Sequence, residues 1–421
     1  MLKQTLLLLI AFISLNAIAQ EGTASPYSFY GIGELKFKGT VENRSMGGLS
    51  VYSDSIHLNL LNPASLGKLD LTTFTIGGSQ KFTDLKSSNN SGSTSNTTFD
   101  YLAVGLPMGK LGVSFGLLPY TSVGYKTGFT DYKTATAGQG RYEGNGGINK
   151  AFLAAGFSIN KNFSLGIDVN YNFGKIHNEA VVISDLQYDN QEINESRLSG
   201  LAVNFGATYK KKISNKLELM TGITYSPEVS LSSNNTRQLS TIVFNTNGVV
   251  VPRDTKEVNL KNIGLENTKF KLPSKLTIGA GLGKAKKWFA GIDYTNLGTG
   301  KLGNLTFNNT SVNYKNANKV VVGGFYIPKH NSLTSYLSKV VYRTGVRFEN
   351  TGIAIQNEDI NEFGISFGVG LPVGRKLSNV NIGFEYGSRG TTNNNLVKEN
   401  FFNLNLSLSF NDKWFQKRKI D

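Results

Sequence analysis

Few residues in this sequence could carry out nucleophilic or metal-dependent chemistry. The 421 residues include 0 Cys and 3 His, so thiolate nucleophiles, thiolate zinc sites and disulfides are excluded. His57 stands near Asp54 and Ser55, but His177 and His330 fall in distant parts of the chain. The sequence also lacks a Gly-x-Ser-x-Gly turn and a phosphate-binding loop. We therefore predict no catalytic residue, no cofactor and no metal site, and we do not expect an enzyme.

The elements that must position the other polar residues begin with an export signal. Lys3 supplies a positive charge, residues 6–15 form an almost uninterrupted apolar run, and Ala17-Ile18-Ala19 has the small-x-small pattern of a cleavage site. The apolar run is too short to remain in a membrane as a helix. We expect residues 1–19 to be a cleaved signal peptide. Because no Cys follows it, the product is not a lipoprotein.

Apolar and polar residues then alternate with a period of two in many segments. The pattern is clearest in residues 163–173, 361–373 and 399–411, and it predicts β-strands with two different faces. A soluble sandwich would alternate similarly around a shared core. The export signal favours a membrane barrel, whose strands face lipid and a polar lumen in turn, and this explains a hydrophobic content of only 39%.

The predicted strands and their connections form a regular series. Short and long connections alternate throughout, as they do in outer-membrane barrels with short periplasmic turns and long outer loops. We predict a transmembrane antiparallel β-barrel of about 14 strands over residues 69–411. The strands are placed at 69–83, 97–107, 110–125, 147–160, 162–176, 197–213, 216–231, 271–283, 287–299, 316–328, 338–350, 361–373, 377–390 and 399–411.

Two segments lie outside the predicted barrel. Residues 20–68 lack sustained alternation and precede the first strand, so they form either a periplasmic tail or a plug folded into the lumen. Residues 412–421 follow the last strand and combine Trp414 and Phe415 with basic residues. We predict that this periplasmic tail is an interfacial anchor.

The segment before the first strand resembles the plug signature of the FadL family of hydrophobic-compound transporters. Asp54 precedes the triplet Asn62-Pro63-Ala64, and Gly-rich stretches at residues 31–33 and 44–48 are similar to the start of such a plug. The strand count and a Ser-Pro-containing stretch at residues 225–229 also match. The resemblance implies an outer-membrane protein with an N-terminal plug (hatch) over residues 20–68, which takes up long-chain fatty-acid-like compounds.

Pro119 is unusual because it interrupts a predicted strand. Proline has no N–H for the ladder, so a strand interior tolerates it only at a break or bulge. The resemblance implies a kinked third strand there, with a lateral exit for an apolar ligand near Gly116, Pro119 and Tyr120. Alternatively, the neighbouring strand ends early and Pro119 lies above the membrane.

Alternation also assigns charged residues to the lumen. An inward arginine pair could neutralise a ligand carboxylate, but pairing with acidic lumen or plug residues is the favoured interpretation, because buried charges need partners. The predicted lumen charges are Asp168, Arg343, Arg347, Glu349 and Glu385.

Two outer connections differ in character. Residues 177–196 are acidic and would form a poor groove for hydrophobic compounds. Residues 241–251 are apolar around Asn247-Gly248, which indicates either a hairpin or an outer extension of the barrel wall.

The net charge of +15 must be interpreted for an exported protein. Nucleic acid is not an expected partner, since no basic helix is present. The charge fits either attraction to outer-membrane lipid phosphates or a solvated surface. The predicted function is passive uptake of a hydrophobic ligand with lateral exit into the bilayer; the alternative is a non-transporting role as a subunit of an outer-membrane secretion or protein-assembly complex.

Overall fold

The computed structural model describes residues 22–214, 216–301, 312–374 and 378–413. The predicted signal peptide and the Trp414–Phe415 anchor lie outside these residues. The chain forms a closed antiparallel barrel of 14 strands, which confirms the predicted fold class. Among the described residues, no helix is long and apolar enough to cross a membrane.

The barrel strands are numbered β1 to β14 along the chain, and β7, β8 and β10 each consist of two segments. Their bounds are β1 Thr72–Lys86, β2 Ser91–Met108, β3 Leu111–Gly128, β4 Gly140–Ser158, β5 Phe163–Val182, β6 Asp189–Ser214, β7 Leu217–Ser226 and Val229–Phe244, β8 Asn267–Leu272 and Lys275–Lys284, β9 Trp288–Leu297, β10 Val312–Tyr314 and Ala317–Tyr326, β11 Val341–Ile355, β12 Glu358–Val373, β13 Ser378–Arg389 and β14 Lys398–Asp412.

The last strand closes the barrel against the first. Phe410 pairs with Phe74 and Phe402 with Phe82 along the β14–β1 ladder. Leu406 is 42% exposed on the outer face, whereas its neighbour Asn405 is 2% exposed and points inward. The alternation of apolar and polar residues therefore places the lipid-facing and lumen-facing side chains as predicted.

Several strands continue well into the predicted outer loops. Most of residues 177–196 is strand, because β5 runs to Val182 and β6 starts at Asp189. Val250–Glu257 pairs with the outer segment of β7, and that segment pairs with β6. Residues 229–257 are therefore both a hairpin and an extension of the wall. Beyond the lipid a strand needs no apolar face, so its outer part looks like a polar loop in the sequence.

Residues 22–71 lie inside the barrel. They contain the short helix Val41–Arg44, the two-residue strand Glu34–Leu35 and 3-10 turns at Pro26–Phe29 and Pro63–Lys68. Strand glycines make room for this segment: a Cβ at Gly345 would lie 2.2 Å from the carbonyl carbon of Met46, and one at Gly166 would lie 2.3 Å from the amide nitrogen of Ala64. We call residues 22–71 the lumen segment.

Candidate functional site

The Asn-Pro-Ala triplet anchors the lumen segment to the wall. The Asn62 side chain accepts a hydrogen bond from the Ala64 amide (3.1 Å) and so caps the turn Pro63–Lys68, in which proline occupies the first position. Its amide group donates to the carbonyl of Ala207 on β6 (3.4 Å). Ala64 is fully buried against Gly166 on β5. The triplet thus fixes one position of the lumen segment.

Asp54 lies apart from this triplet and holds a local loop. Its carboxylate accepts from the amides of Ile56 (2.9 Å) and His57 (2.8 Å), and it contacts His57 Nδ1 at 2.7 Å. Burial alone would lower the pKa of His57, but the Asp54 carboxylate outweighs it and raises that pKa. Burial would raise the pKa of Asp54, and the His57 contact reverses this and lowers it. The predicted plug motif is therefore divided between two places: Asp54 holds a local loop, and Asn62-Pro63-Ala64 contacts the wall. The role of these residues as a plug signature stays a prediction.

The wall of the barrel is open between β2 and β3. The ladder joining them runs from Met108↔Leu111 to Leu102↔Leu117 and stops there. Above this point β3 pairs with β4, and with the lumen segment through Leu35↔Thr121 and Glu34↔Ser122. The Lys36 amide also donates to the carbonyl of Tyr120 (3.0 Å). The lumen segment thus supplies backbone partners that β2 does not.

The three residues predicted for a lateral exit lie at the lower edge of this opening. Gly116 still pairs with Ala103, so it belongs to the intact wall. Pro119 pairs with Asn149 on β4, and a bulge follows it that removes Tyr120 from the ladder. The opening coincides with the proline, as expected for a residue without an N–H. Passage of a ligand there remains a prediction.

A second irregularity of the wall was missed in the sequence. The two segments of β7 are separated from each other at Pro227, and the two segments of β8 are separated at Pro273. Between the pairs Phe205↔Tyr225 and Ser199↔Ser232 the β6–β7 ladder is interrupted. The signal was present, since each proline falls within a predicted strand.

A small cavity lies inside the barrel between the two irregular regions. Its volume is about 110 Å³, and its apolar lining includes Leu60, Leu118 and Phe152. Asp168 also lines it. The predicted inward position of Asp168 fits this placement, and its carboxylate accepts a hydrogen bond from Asn204 (2.8 Å).

The same cavity has further polar groups in its lining. Lys150 also lies in the lining, and its Nζ atom stands 4.6 Å from the centroid of the Tyr120 ring. The buried amide of Asn172 has no hydrogen-bond partner among the described residues. The cavity is therefore partly polar and differs from a simple apolar tunnel.

The other predicted lumen charges lie on the opposite side of the lumen. Arg347 contacts Glu362, Glu385 (2.7 Å) and Glu349 (3.8 Å). Arg343 instead donates to the side chain of Asn381 (3.1 Å). Arg347 is therefore neutralised by the barrel itself, as the pairing interpretation expects, whereas Arg343 has no ion pair among the described residues.

This charge network extends into the lumen segment. Lys38 contacts Glu362 (2.7 Å), and Arg389 contacts both Glu362 and Glu34 (3.2 Å). Burial raises the pKa of Glu34, but nearby cations outweigh this and hold it well below its ordinary value. Alternation could have assigned Glu362 and Arg389 to the lumen, whereas Glu34 and Lys38 gave no such signal. On another wall, Arg44 contacts Asp100 (2.7 Å).

Comparison with known proteins places the fold in one class. The structure is similar to the Pseudomonas putida toluene transporter TodX, with 13% identity, a TM-score of 0.60 and coverage of 91% of this chain and 100% of that chain. It is also similar to the Ralstonia pickettii toluene transporter TbuX, with 13% identity, a TM-score of 0.59 and coverage of 90% of this chain and 99% of that chain. A third similar structure is a Pseudomonas aeruginosa FadL homologue, with 11% identity, a TM-score of 0.55 and coverage of 90% of this chain and 99% of that chain. At these identities the likeness concerns the fold: the chain has the fold of FadL-type outer-membrane barrels.

Comparison of the sequence with family models identifies the family of this chain. A family model described as BamG matches residues 1–421. The chain therefore belongs to the BamG family. No curated protein sequence matches it.

Proposed function

We propose that this protein is a closed, non-transporting subunit of an outer-membrane protein-assembly machine. The observation that carries the proposal is that Glu34–Leu35 of the lumen segment occupies part of the β3 edge that β2 leaves unpaired. Unpaired strand amides would find no partner in lipid. The segment is thus held against the wall by backbone pairing with β3.

The charges and the cavity size also support a closed barrel. Lys38 and Glu34 of the lumen segment are paired to Glu362 and Arg389 of the wall, and breaking buried pairs is costly. The cavity beside the β2–β3 opening, with a volume of about 110 Å³, is smaller than the roughly 300–1,000 Å³ of ordinary ligand sites. The family description BamG hints at a protein complex as partner, which fits an assembly role.

The test is affinity purification after gentle detergent extraction. We expect other outer-membrane proteins to co-purify in fixed stoichiometry, and loss of the protein to lower the level of other barrels. Recovery of a barrel that carries lipid-like molecules and no protein partner would contradict the proposal.

A double variant separates this function from transport. Leu35 and Thr121 are Cα partners, so Leu35→Cys with Thr121→Cys should form a disulfide in a chain that has 0 Cys. An assembly subunit should complement a deletion strain when it is locked in this way. The single Thr121→Cys variant is the matched control.

Uptake of hydrophobic, long-chain-fatty-acid-like compounds with lateral exit is the second candidate. The β2–β3 opening favours it, because apolar Leu118 and Tyr120 line both the opening and the cavity. If the protein transports, uptake of a labelled fatty acid should stop in the oxidised double variant and return with a reductant. Gly116→Trp is a poor probe, since a Cβ at Gly116 would already lie 2.1 Å from the Leu102 carbonyl oxygen. Tyr120→Trp obstructs the opening without that clash.

A further inference from the structure

A larger cavity opens at the periplasmic rim of the barrel, away from the lumen cavity described above. Its volume is about 460 Å³, within the range of ordinary ligand sites. Lys286, His330 and Gly374 of three periplasmic turns line its mouth, and Tyr52 and residues 54–59 of the lumen segment form one side. The cavity is therefore accessible from the periplasm.

The deep end of this cavity holds two incompletely paired charges. Glu42 is 7% exposed, and its Oε2 atom has no hydrogen-bond partner among the described residues. Arg343 is 6% exposed and, within the described part of the chain, has no carboxylate within ion-pair distance. Its guanidinium donates to Asn381 Oδ1 (3.1 Å), and Asn381 Nδ2 donates to Glu42 Oε1 (2.9 Å). One amide group thus separates the cation from the carboxylate.

The remaining wall combines the Asp54–His57 pair with a group of apolar side chains. Tyr52 packs against Phe325 with ring centroids 4.8 Å apart, and Ile327, Val341 and Met46 also line the cavity. An apolar group would be desolvated there. Lys286 and Lys339 at the mouth add positive charge, which attracts an anion.

We propose that this cavity binds the C-terminal end of a peptide chain that ends in an apolar residue. The terminal carboxylate is held by Arg343, the terminal backbone N–H donates to the free oxygen of Glu42, and the last side chain packs against Tyr52 and Phe325. A charge-assisted pair of this kind is among the strong hydrogen-bonded contacts. A fatty acid fits less well, because it offers Arg343 an acceptor but offers Glu42 no donor. The inference goes beyond the proposed function, since such binding can be measured whether or not the protein belongs to an assembly machine.

The test is fluorescence anisotropy with the purified full chain in detergent. The probe is a labelled hexapeptide that ends in Phe with a free carboxylate, and the comparison ligands are the same peptide amidated at its C-terminus and dodecanoate. We expect saturable binding of the free acid, weakened about tenfold or more by amidation, because a charged hydrogen bond is lost. Equal binding of the amide, or tighter binding of dodecanoate than of the peptide, would overturn the proposal.

Variants locate the site independently. Val341→Trp should fill the cavity and abolish binding, while Tyr342→Trp, on the lipid face of the same strand, should leave it unchanged. Arg343→Lys should keep part of the preference for the free carboxylate, and Arg343→Gln should remove it. Heat-modifiable gel migration checks that each variant is folded. Unchanged binding in folded Val341→Trp would place the peptide elsewhere and sink the assignment.

Discussion

At the scale of single residues, the lumen is held together by charges whose partners come from distant parts of the chain. Arg347 is the main counter-charge of Glu385, and Glu362 also contacts it. Arg347→Leu should therefore lower the free energy of unfolding by about 3–5 kcal/mol, because carboxylates stay buried without a cation. Urea unfolding followed by heat-modifiable migration measures this. Arg197→Gln removes a pair whose arginine side chain is 72% exposed and should cost less than about 1 kcal/mol.

The Asp54–His57 pair predicts a pH dependence of the periplasmic end of the lumen segment. The pKa of His57 is raised by Asp54, so its stabilising contribution is complete below the unfolded value of about 6.5 and is lost as pH rises through the folded value. The pKa of Asp54 is lowered, so its contribution fades only as pH falls below about 4. Hydrogen exchange of residues 52–60, corrected for the intrinsic effect of pH, should therefore show more protection at pH 6 than at pH 9. His57→Gln should abolish that difference; if the variant keeps it, another group is responsible.

The sequence alone located these residues only in part. Alternation within β11 assigned Arg343, Arg347 and Glu349 to the lumen, because a strand has only two faces. It could not identify Lys38 or Glu34 as partners, since these lie in an irregular segment whose path depends on the finished barrel. The unpaired oxygen of the Glu42 carboxylate is likewise visible only in three dimensions.

At the scale of elements, the strands were predictable within the lipid and less so beyond it. Lipid imposes an apolar outer face, so β14 shows a strict period of two from Phe402 to Phe410. Water imposes no apolar face, so the sequence of the outer part of β6 predicts a loop where the structure has a strand. The breaks at Pro227 and Pro273 are a different case. Each proline is a strong local signal for a strand break, but alternation continues on both sides of it and predicts an unbroken strand.

The lipid face of β14 gives a direct test of this facing. Leu406→Arg places a charge in the apolar band and should destabilise the barrel by about 2–4 kcal/mol. Leu406→Met, of similar volume, should have little effect. Asn405→Arg should also be disruptive rather than tolerated in an open lumen, because Asn405 is buried and accepts a hydrogen bond from Arg44 (2.9 Å). Unfolding of the three variants in detergent measures the order of their stabilities. If Leu406→Arg proves as stable as Leu406→Met, the assigned face is wrong.

At the scale of the whole molecule, a barrel of 14 strands is wider than its own inward side chains can fill. Barrels of about 8 strands are filled by side chains, and those of about 16–18 strands leave an aqueous channel. Here the lumen segment occupies the interior and contacts several walls, with Arg44 on Asp100, Lys38 on Glu362 and Asn62 on Ala207. We propose that these contacts keep the wide barrel closed.

This arrangement predicts the electrical behaviour of the reconstituted protein. The intact protein should conduct poorly in planar bilayers, because the lumen segment fills the path for hydrated ions. Deletion of residues 20–68 should raise the conductance several-fold, towards that of an open channel of this strand number. The disulfide-locked Leu35→Cys/Thr121→Cys variant should conduct as poorly as the intact protein. A conductance lower than that of the intact protein would show that the lumen segment leaves its place transiently. A wide and steady pore in the intact protein would mean that the lumen segment does not act as a plug, and it would remove the main support for a closed assembly subunit.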